Sequence, residues 1–66
     1  MHLMVNGQSR EVTGEATVAV LVAELTEAER GVAVAVNGEV VPRSTWPAAG
    51  LRDGDRVEVL TAAQGG

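Results

Sequence analysis

The end of the chain carries the residues with the clearest chemical potential. Gln64-Gly65-Gly66 closes the sequence and leaves a carboxylate on a glycine. A carboxylate is a poor electrophile until one oxygen becomes a good leaving group. Nothing elsewhere in the chain supplies that activation, because no Gly-rich loop ends in Lys-Ser/Thr to hold a nucleotide phosphate. Cys is absent, and Arg10, Arg30, Arg43, Arg52 and Arg56 account for all five basic residues, so Lys is absent too. There is then no disulfide, no thiolate metal site and no Cys nucleophile. A composition rich in Arg, Ala, Val and Gly explains this without function, yet the consequence holds whatever the cause. An activated acyl group on Gly66 would meet no thiol or side-chain amine of its own, only the α-amine.

Gly65 and Gly66 lack Cβ atoms, so this end is slim and free to take dihedrals closed to other residues. Fully extended, the residues after Thr61 reach roughly 16 Å. That is enough to enter a buried site on another protein while the body stays outside. Ordering such a tail costs entropy, so affinity must come mainly from the body. A Gly-Gly end is also what a frayed terminus looks like, and taken alone it is a weak signal.

Other residues offer less. His2 is the single His and sits near a terminus. Asp53 and Asp55 lack the further oxygen ligands of a cation site and suit the capping of a turn. Trp46, the only Trp in a chain with no Phe or Tyr, reads as a packing anchor over the sheet edge, with interface contact as the alternative. Gly7, Gly38 and Gly54 read as turn glycines.

The elements that must position the tail follow from the periodicity. His2 to Asn6 alternates, with Leu3 and Val5 on one face, as a half-buried strand does. Asn6-Gly7 predicts a type I′ turn, and a second strand runs from Gln8 to Thr13, ended by Gly14. Thr17 is the N-cap of a helix whose apolar face is Val18, Leu21, Val22 and Leu25, with Glu24 and Glu27 on the polar side. Val20 stands where a capping box would need Glu or Gln. The β-branched Val residues weaken the helix, so packing on a sheet must hold it, and Gly31 suits its exit turn. Val32 to Val36 reads as a strand near the sheet centre. Asn37-Gly38 repeats the turn signal before a return strand, Glu39 to Val41, which Pro42 stops. Arg43 to Gly50 is an irregular connection with one short helical turn from Ser44. Asp53-Gly54-Asp55 is a turn, and Arg56 to Thr61 alternates with Val57 and Val59 inward. Residues 1–61 form one domain and 62–66 a flexible tail.

The bulk properties agree. With 66 residues there is room for one core, and a domain of this size buries only about 60% of its unfolded surface. A hydrophobic fraction of 45% is too high for a disordered chain. The net charge of -4 and the lack of a Lys/Arg run argue against nucleic acid or an anionic membrane as partner. The N-terminus lacks signal-peptide features, and no apolar run is long enough to span a bilayer. The expectation is a cytoplasmic protein without its own enzyme cleft. One main helix across a mixed sheet of about five strands is an α+β solution.

The stretch Val34-Ala35-Val36-Asn37-Gly38-Glu39-Val40-Val41-Pro42-Arg43-Ser44-Thr45-Trp46 resembles the middle of the ThiS-type sulfur carriers of thiamine biosynthesis. So does Leu51-Arg52-Asp53-Gly54-Asp55-Arg56-Val57-Glu58-Val59, followed by a short tail ending in Gly65-Gly66. The resemblance covers essentially the whole chain, and its element order is that of the β-grasp, or ubiquitin-like, fold. It implies that a ThiF-type adenylating enzyme uses ATP and Mg to turn the Gly66 carboxylate into an acyl adenylate. A sulfur donor such as a cysteine desulfurase then displaces AMP to give a thiocarboxylate. A ThiG-type thiazole synthase takes the sulfur for the thiazole ring. On this reading the chain binds no cofactor and is a protein co-substrate, with Gln64 and Gly65 threading into partner active sites. A molybdopterin-synthase small subunit shares the fold and the Gly-Gly end but is usually longer. A ubiquitin-like modifier joined to lysines, and an inert β-grasp binding module, are the other readings.

Parity suggests where partners grip. If Val57 and Val59 point inward, Arg56, Glu58 and Leu60 point outward, as does Met4 on the first strand. In a β-grasp sheet the first and last strands are neighbours, so Met4 and Leu60 form an exposed apolar spot beside the tail root, flanked by Arg56 and Glu58. That spot is a candidate docking patch. Scattered exposed apolar residues also occur without purpose, and parity alone leaves both readings open.

Overall fold

The computed structural model describes residues 1–28 and 30–62. Five strands and one α-helix follow in the order β1 (His2–Val5), β2 (Gln8–Glu11), α1 (Val18–Leu25), β3 (Val32–Val36), β4 (Glu39–Val40) and β5 (Arg56–Thr61), with a 3-10 helix over Arg43–Ala48 before β5. The sheet order is β2-β1-β5-β3-β4. Pairing is antiparallel except between β1 and β5, which run parallel with Met4 opposite Arg56 and Val5 opposite Val57. The first and last strands are therefore neighbours, and the sheet is mixed, as expected. β5 holds the centre, with β3 beside it.

Both hairpins turn through Asn-Gly pairs with positive φ, 51° and 80° at Asn6 and Gly7 and 51° and 85° at Asn37 and Gly38. This is the handedness a type I′ turn requires to match strand twist. β2 is shorter than the expected run to Thr13. Val12 still donates to the Met1 carbonyl at 2.8 Å, but the strand ends at Glu11. β4 is likewise cut to Glu39–Val40, although Val41 donates to the Val34 carbonyl at 2.9 Å.

Thr17 caps α1, its Oγ1 accepting from the Val20 amide at 3.3 Å. Eight residues fall short of the roughly 12–15 at which an isolated helix persists. Burial holds this one: Val18, Leu21 and Val22 join Leu3, Val5, Val34, Val57 and Val59 in one core cluster. Each such side chain contributes about 1.5–3 kcal/mol when fully buried. The helix stops before Glu27, which therefore does not lie on its polar face. Thr26 closes it, donating its backbone N–H to the Val22 carbonyl at 3.0 Å while its Oγ1 accepts from the Ala28 amide at 3.1 Å. That local bond offers the backbone an alternative to another helical turn. Gly31 is consequently not the cap of α1. It lies at the far end of the connection, against β3.

Bonds from the Val18 amide to the Ala49 carbonyl and from the Leu51 amide to the Ala16 carbonyl, both 2.9 Å, tie the helix start to the segment before β5. The helical turn expected from Ser44 is the 3-10 helix, with Pro47 inside it. It packs on α1. Trp46 is buried there, its Nε1 donating to the Val41 carbonyl at 2.9 Å, with the Arg43 guanidinium 5.3 Å from its ring centroid. The indole is thus a core anchor at the β4 end of the sheet.

Candidate functional site

The tail leaves from the end of β5, so the site is built on that strand. Val57 and Val59 are 1% and 3% exposed, while Arg56, Glu58 and Leu60 face solvent. Period-two packing thus turns one row of β5 into the core and the other outward. Leu60 is 62% exposed.

Three contacts supplement the ladders that hold β5. The pairing with β1 stops at Val5–Val57, yet the Val59 amide and carbonyl still face that side. Asn6 meets both. Its Oδ1 accepts from the Val59 N–H at 2.8 Å and its Nδ2 donates to the Val59 carbonyl at 3.1 Å. A primary amide has the donor and acceptor of a peptide group, so the side chain stands in for the next strand residue. On the other flank, Asn37 Oδ1 accepts from the Arg56 amide at 3.0 Å and its Nδ2 donates to Asp55 Oδ1 at 2.9 Å. At the strand end, the Ala62 amide donates to the Gly31 carbonyl at 2.7 Å.

Met4 is half-buried and level with Arg56. Leu60 is level with Ala33 on β3. The two are therefore not side by side: they stand about 13 Å apart along β5, with Glu58 between them and Arg56 beside Met4. They nevertheless line one shallow depression of about 430 Å³, together with Asn6, Arg56 and Glu58. Gln64, Gly65 and Gly66 lie outside the described residues.

The acidic turn is structural. Asp53 Oδ1 accepts from the His2 amide at 2.6 Å, and Asp55 Oδ2 accepts from the Arg52 amide at 2.8 Å. His2 Nε2 meets Ser9 Oγ on the adjacent strand. Among the described residues no group of three or more His, Cys, Asp or Glu side chains is placed to hold a metal ion, and no helix is long and apolar enough to cross a membrane.

The amide clamps of Asn6 and Asn37 and the Gly31–Ala62 contact were not read from the sequence. The only signal for the clamps is the use of Asn twice where Asp or Gly also turns the chain. For the Gly31 contact there is none.

The chain has relatives of known description. The ThiS family model matches residues 3–66. The sulfur carrier protein ThiS of Escherichia coli (strain K12) is 30% identical over 66 residues, covering all of both chains. A thiazole synthase of Paramagnetospirillum magneticum is 38% identical over 66 residues, which are all of this chain but only 20% of that protein. The crystal structure of a thiamine biosynthesis protein (ThiS) from Geobacter metallireducens matches with a TM-score of 0.80 and 39% identity, covering 92% of this chain and 93% of that one. A solution structure of a Geobacter metallireducens thiamine biosynthesis protein gives 0.77 and 40%, covering 91% and 81%. With the sheet order above, these matches identify the fold as β-grasp.

Proposed function

The chain belongs to the ThiS family, and from that premise we propose that it is a cytoplasmic sulfur carrier of thiamine biosynthesis, with the sulfur held on the C-terminal carboxylate of Gly66. The observation that carries this reading is the match along the full length of a protein named as such a carrier, through Gly65-Gly66.

The chemistry is the one that membership of this family implies, and the chain's lack of Cys and Lys is compatible with it. A Gly66 carboxylate oxygen attacks the α-phosphate of ATP in the site of a ThiF-type adenylating enzyme, with Mg, and pyrophosphate leaves. The persulfide sulfur of a donor such as a cysteine desulfurase attacks the acyl carbon and AMP leaves, giving an acyl disulfide; a thiol then attacks the donor's sulfur, forms a disulfide with it and frees the thiocarboxylate. The resulting thiocarboxylate passes its sulfur to a ThiG-type thiazole synthase. That a protein named thiazole synthase contains a stretch 38% identical to this chain supports such a partner. The carrier is a co-substrate and not a catalyst. Its body supplies a hold, and we assign that hold to the depression between Met4 and Leu60, beside the strand that feeds Gln64 and Gly65 into the partner.

The full-length match at 66 residues favours a thiamine carrier over the longer molybdopterin-synthase subunit. Intact mass spectrometry after incubation with the adenylating enzyme, ATP and a sulfur donor tests the reading. The expected result is a mass increase equal to oxygen exchanged for sulfur, lost on deletion of Gly66. Isopeptide conjugates to lysines of other proteins would instead mark a modifier, and no change at all would mark an inert module.

A further inference from the structure

Gly31 stands apart from the other glycines of the fold. Gly7, Gly14, Gly38 and Gly54 have positive φ, and a Cβ built on any of them would meet nothing within 4 Å. Their identity serves backbone conformation alone. Gly31 also has positive φ, +74°, but its Cβ would lie 2.9 Å from the Ala62 Cβ. Real Cβ atoms do not approach that closely, so this glycine serves a contact as well as a turn. The contact is reinforced by the bond from the Ala62 N–H to the Gly31 carbonyl at 2.7 Å.

Its location gives the contact meaning. β3 and β5 are antiparallel, with Val32 opposite Thr61. Gly31 and Ala62 are the residues that flank the end of that ladder, just beyond its last pair. Ala62 is thereby fixed to the body, and the chain beyond it is 63–66, with an extended contour of about 13 Å.

We propose that Gly31 is a positioning residue for adenylation: by admitting Ala62 at close range, it sets the root from which the tail delivers the Gly66 carboxylate to the partner's ATP site. This rests on the carrier reading above. A side chain on Gly31 must push Ala62 away, while the docking face on Arg56, Glu58 and Leu60 stays where it is. Body binding is then preserved and the reacting atoms are misplaced. A misplacement approaching 1 Å costs up to about 100-fold in rate. The loss belongs in kcat and not in KM, because it affects the reacting geometry and not the hold on the body.

The test is a steady-state assay of adenylation, varying carrier concentration, with four proteins. Gly31→Ala is expected to lower kcat on the order of tenfold with KM little changed. Gly31→Ala/Ala62→Gly removes the colliding Cβ and restores kcat, although the positive-φ strain and its loss of Tm remain. Gly38→Ala carries the same kind of strain at the far end of β5, with no contact to disturb, and keeps the wild-type kcat. Hydrogen exchange on the free carrier, a readout independent of activity, should show the Ala62 amide protected in the wild type and less so in Gly31→Ala. An unprotected wild-type Ala62 amide overturns the clasp whether or not the protein carries sulfur. So does an unchanged kcat in Gly31→Ala, or a loss that Ala62→Gly fails to relieve. A wild-type protein that is never adenylated overturns the carrier reading itself, and the clasp's role with it.

Discussion

Asn6 serves two ends of one strand pair. Its backbone takes the positive φ that lets β1 turn into β2, and its side chain bonds both polar backbone atoms of Val59. Gly at this position would keep the turn and lose the clamp. A net contribution of about 1 kcal/mol per bond gives an expected loss of about 1–2 kcal/mol for Asn6→Gly, since Val59 N–H and C=O are then left to find water at a half-buried edge. For a domain of this size that is a fall in Tm of roughly 7–15 °C. Thermal unfolding by circular dichroism measures it, and faster exchange of the Val59 amide localises it. An unchanged Tm with a protected Val59 amide would show that the clamp contributes nothing. The turn itself was legible in the sequence, because the Asn-Gly pair and its backbone requirement are local. The clamp was not, because its partner lies 53 positions away and no local rule says which strand ends beside it. Gly31 is the same case: a left-handed glycine reads as a turn or a cap, and only the fold brings Ala62 against it.

At the scale of elements, β5 was the most legible. Strict alternation over Arg56–Thr61 places Val57 and Val59 in the core and leaves Leu60 outside, and its bounds match the sequence reading. The helix was legible at its start, where Thr17 caps it, and not at its end. Termination depends on Thr26 bonding back to Ala28, one of several options open to a threonine. The strand lengths were overread at β2 and β4, because the sequence reading ran each strand up to its breaker, Gly14 or Pro42, whereas the ladders stop at Glu11 and Val40. The candidate docking face is likewise an element-scale matter. Parity placed Arg56, Glu58 and Leu60 outside, as the structure has them, but the register left Met4 half-buried beside Arg56 and well short of Leu60. If this face of β5 binds the adenylating enzyme, Leu60→Asp buries a charge against the partner at the position nearest the tail. Losing one well-packed apolar contact at an interface costs about 1–2 kcal/mol or more, so KM for the carrier should rise about tenfold. Tm should barely move, since Leu60 is mostly exposed. An unchanged KM with the fold intact would move the docking surface elsewhere.

At the scale of the whole molecule, the proposed carrier role requires an activated Gly66 to be kept from the chain's own nucleophiles. With neither Lys nor Cys in the chain, no side chain offers a strong nucleophile. The parallel pairing of β1 and β5 places the α-amine at the opposite end of the sheet from Ala62, where it donates to the Val12 carbonyl at 2.6 Å and pairs with Glu11 at 3.3 Å. Distance alone can be tested by putting amines at two places. Arg30 adjoins Gly31 and thus the tail root. Arg10 lies opposite Leu3, one step before the Met4–Arg56 level, which is about 23 Å along the strands from Ala62. Four extended tail residues span only about 13 Å. A thioester placed on Gly66 makes the comparison without any partner enzyme: the Lys amine attacks the carbonyl carbon, the thiol leaves, the amine loses its proton, and an internal amide remains. In Arg30→Lys the amine and acyl carbon share one small volume, so effective molarity is high and the internal amide should form at least about tenfold faster than in Arg10→Lys. The wild type should only hydrolyse. Intact mass spectrometry distinguishes the two products, because the internal amide is lighter than the hydrolysed chain by one water. Equal rates for the two lysines would mean that the strand order provides no separation, and that the absence of Lys from the sequence is the only protection the activated end has.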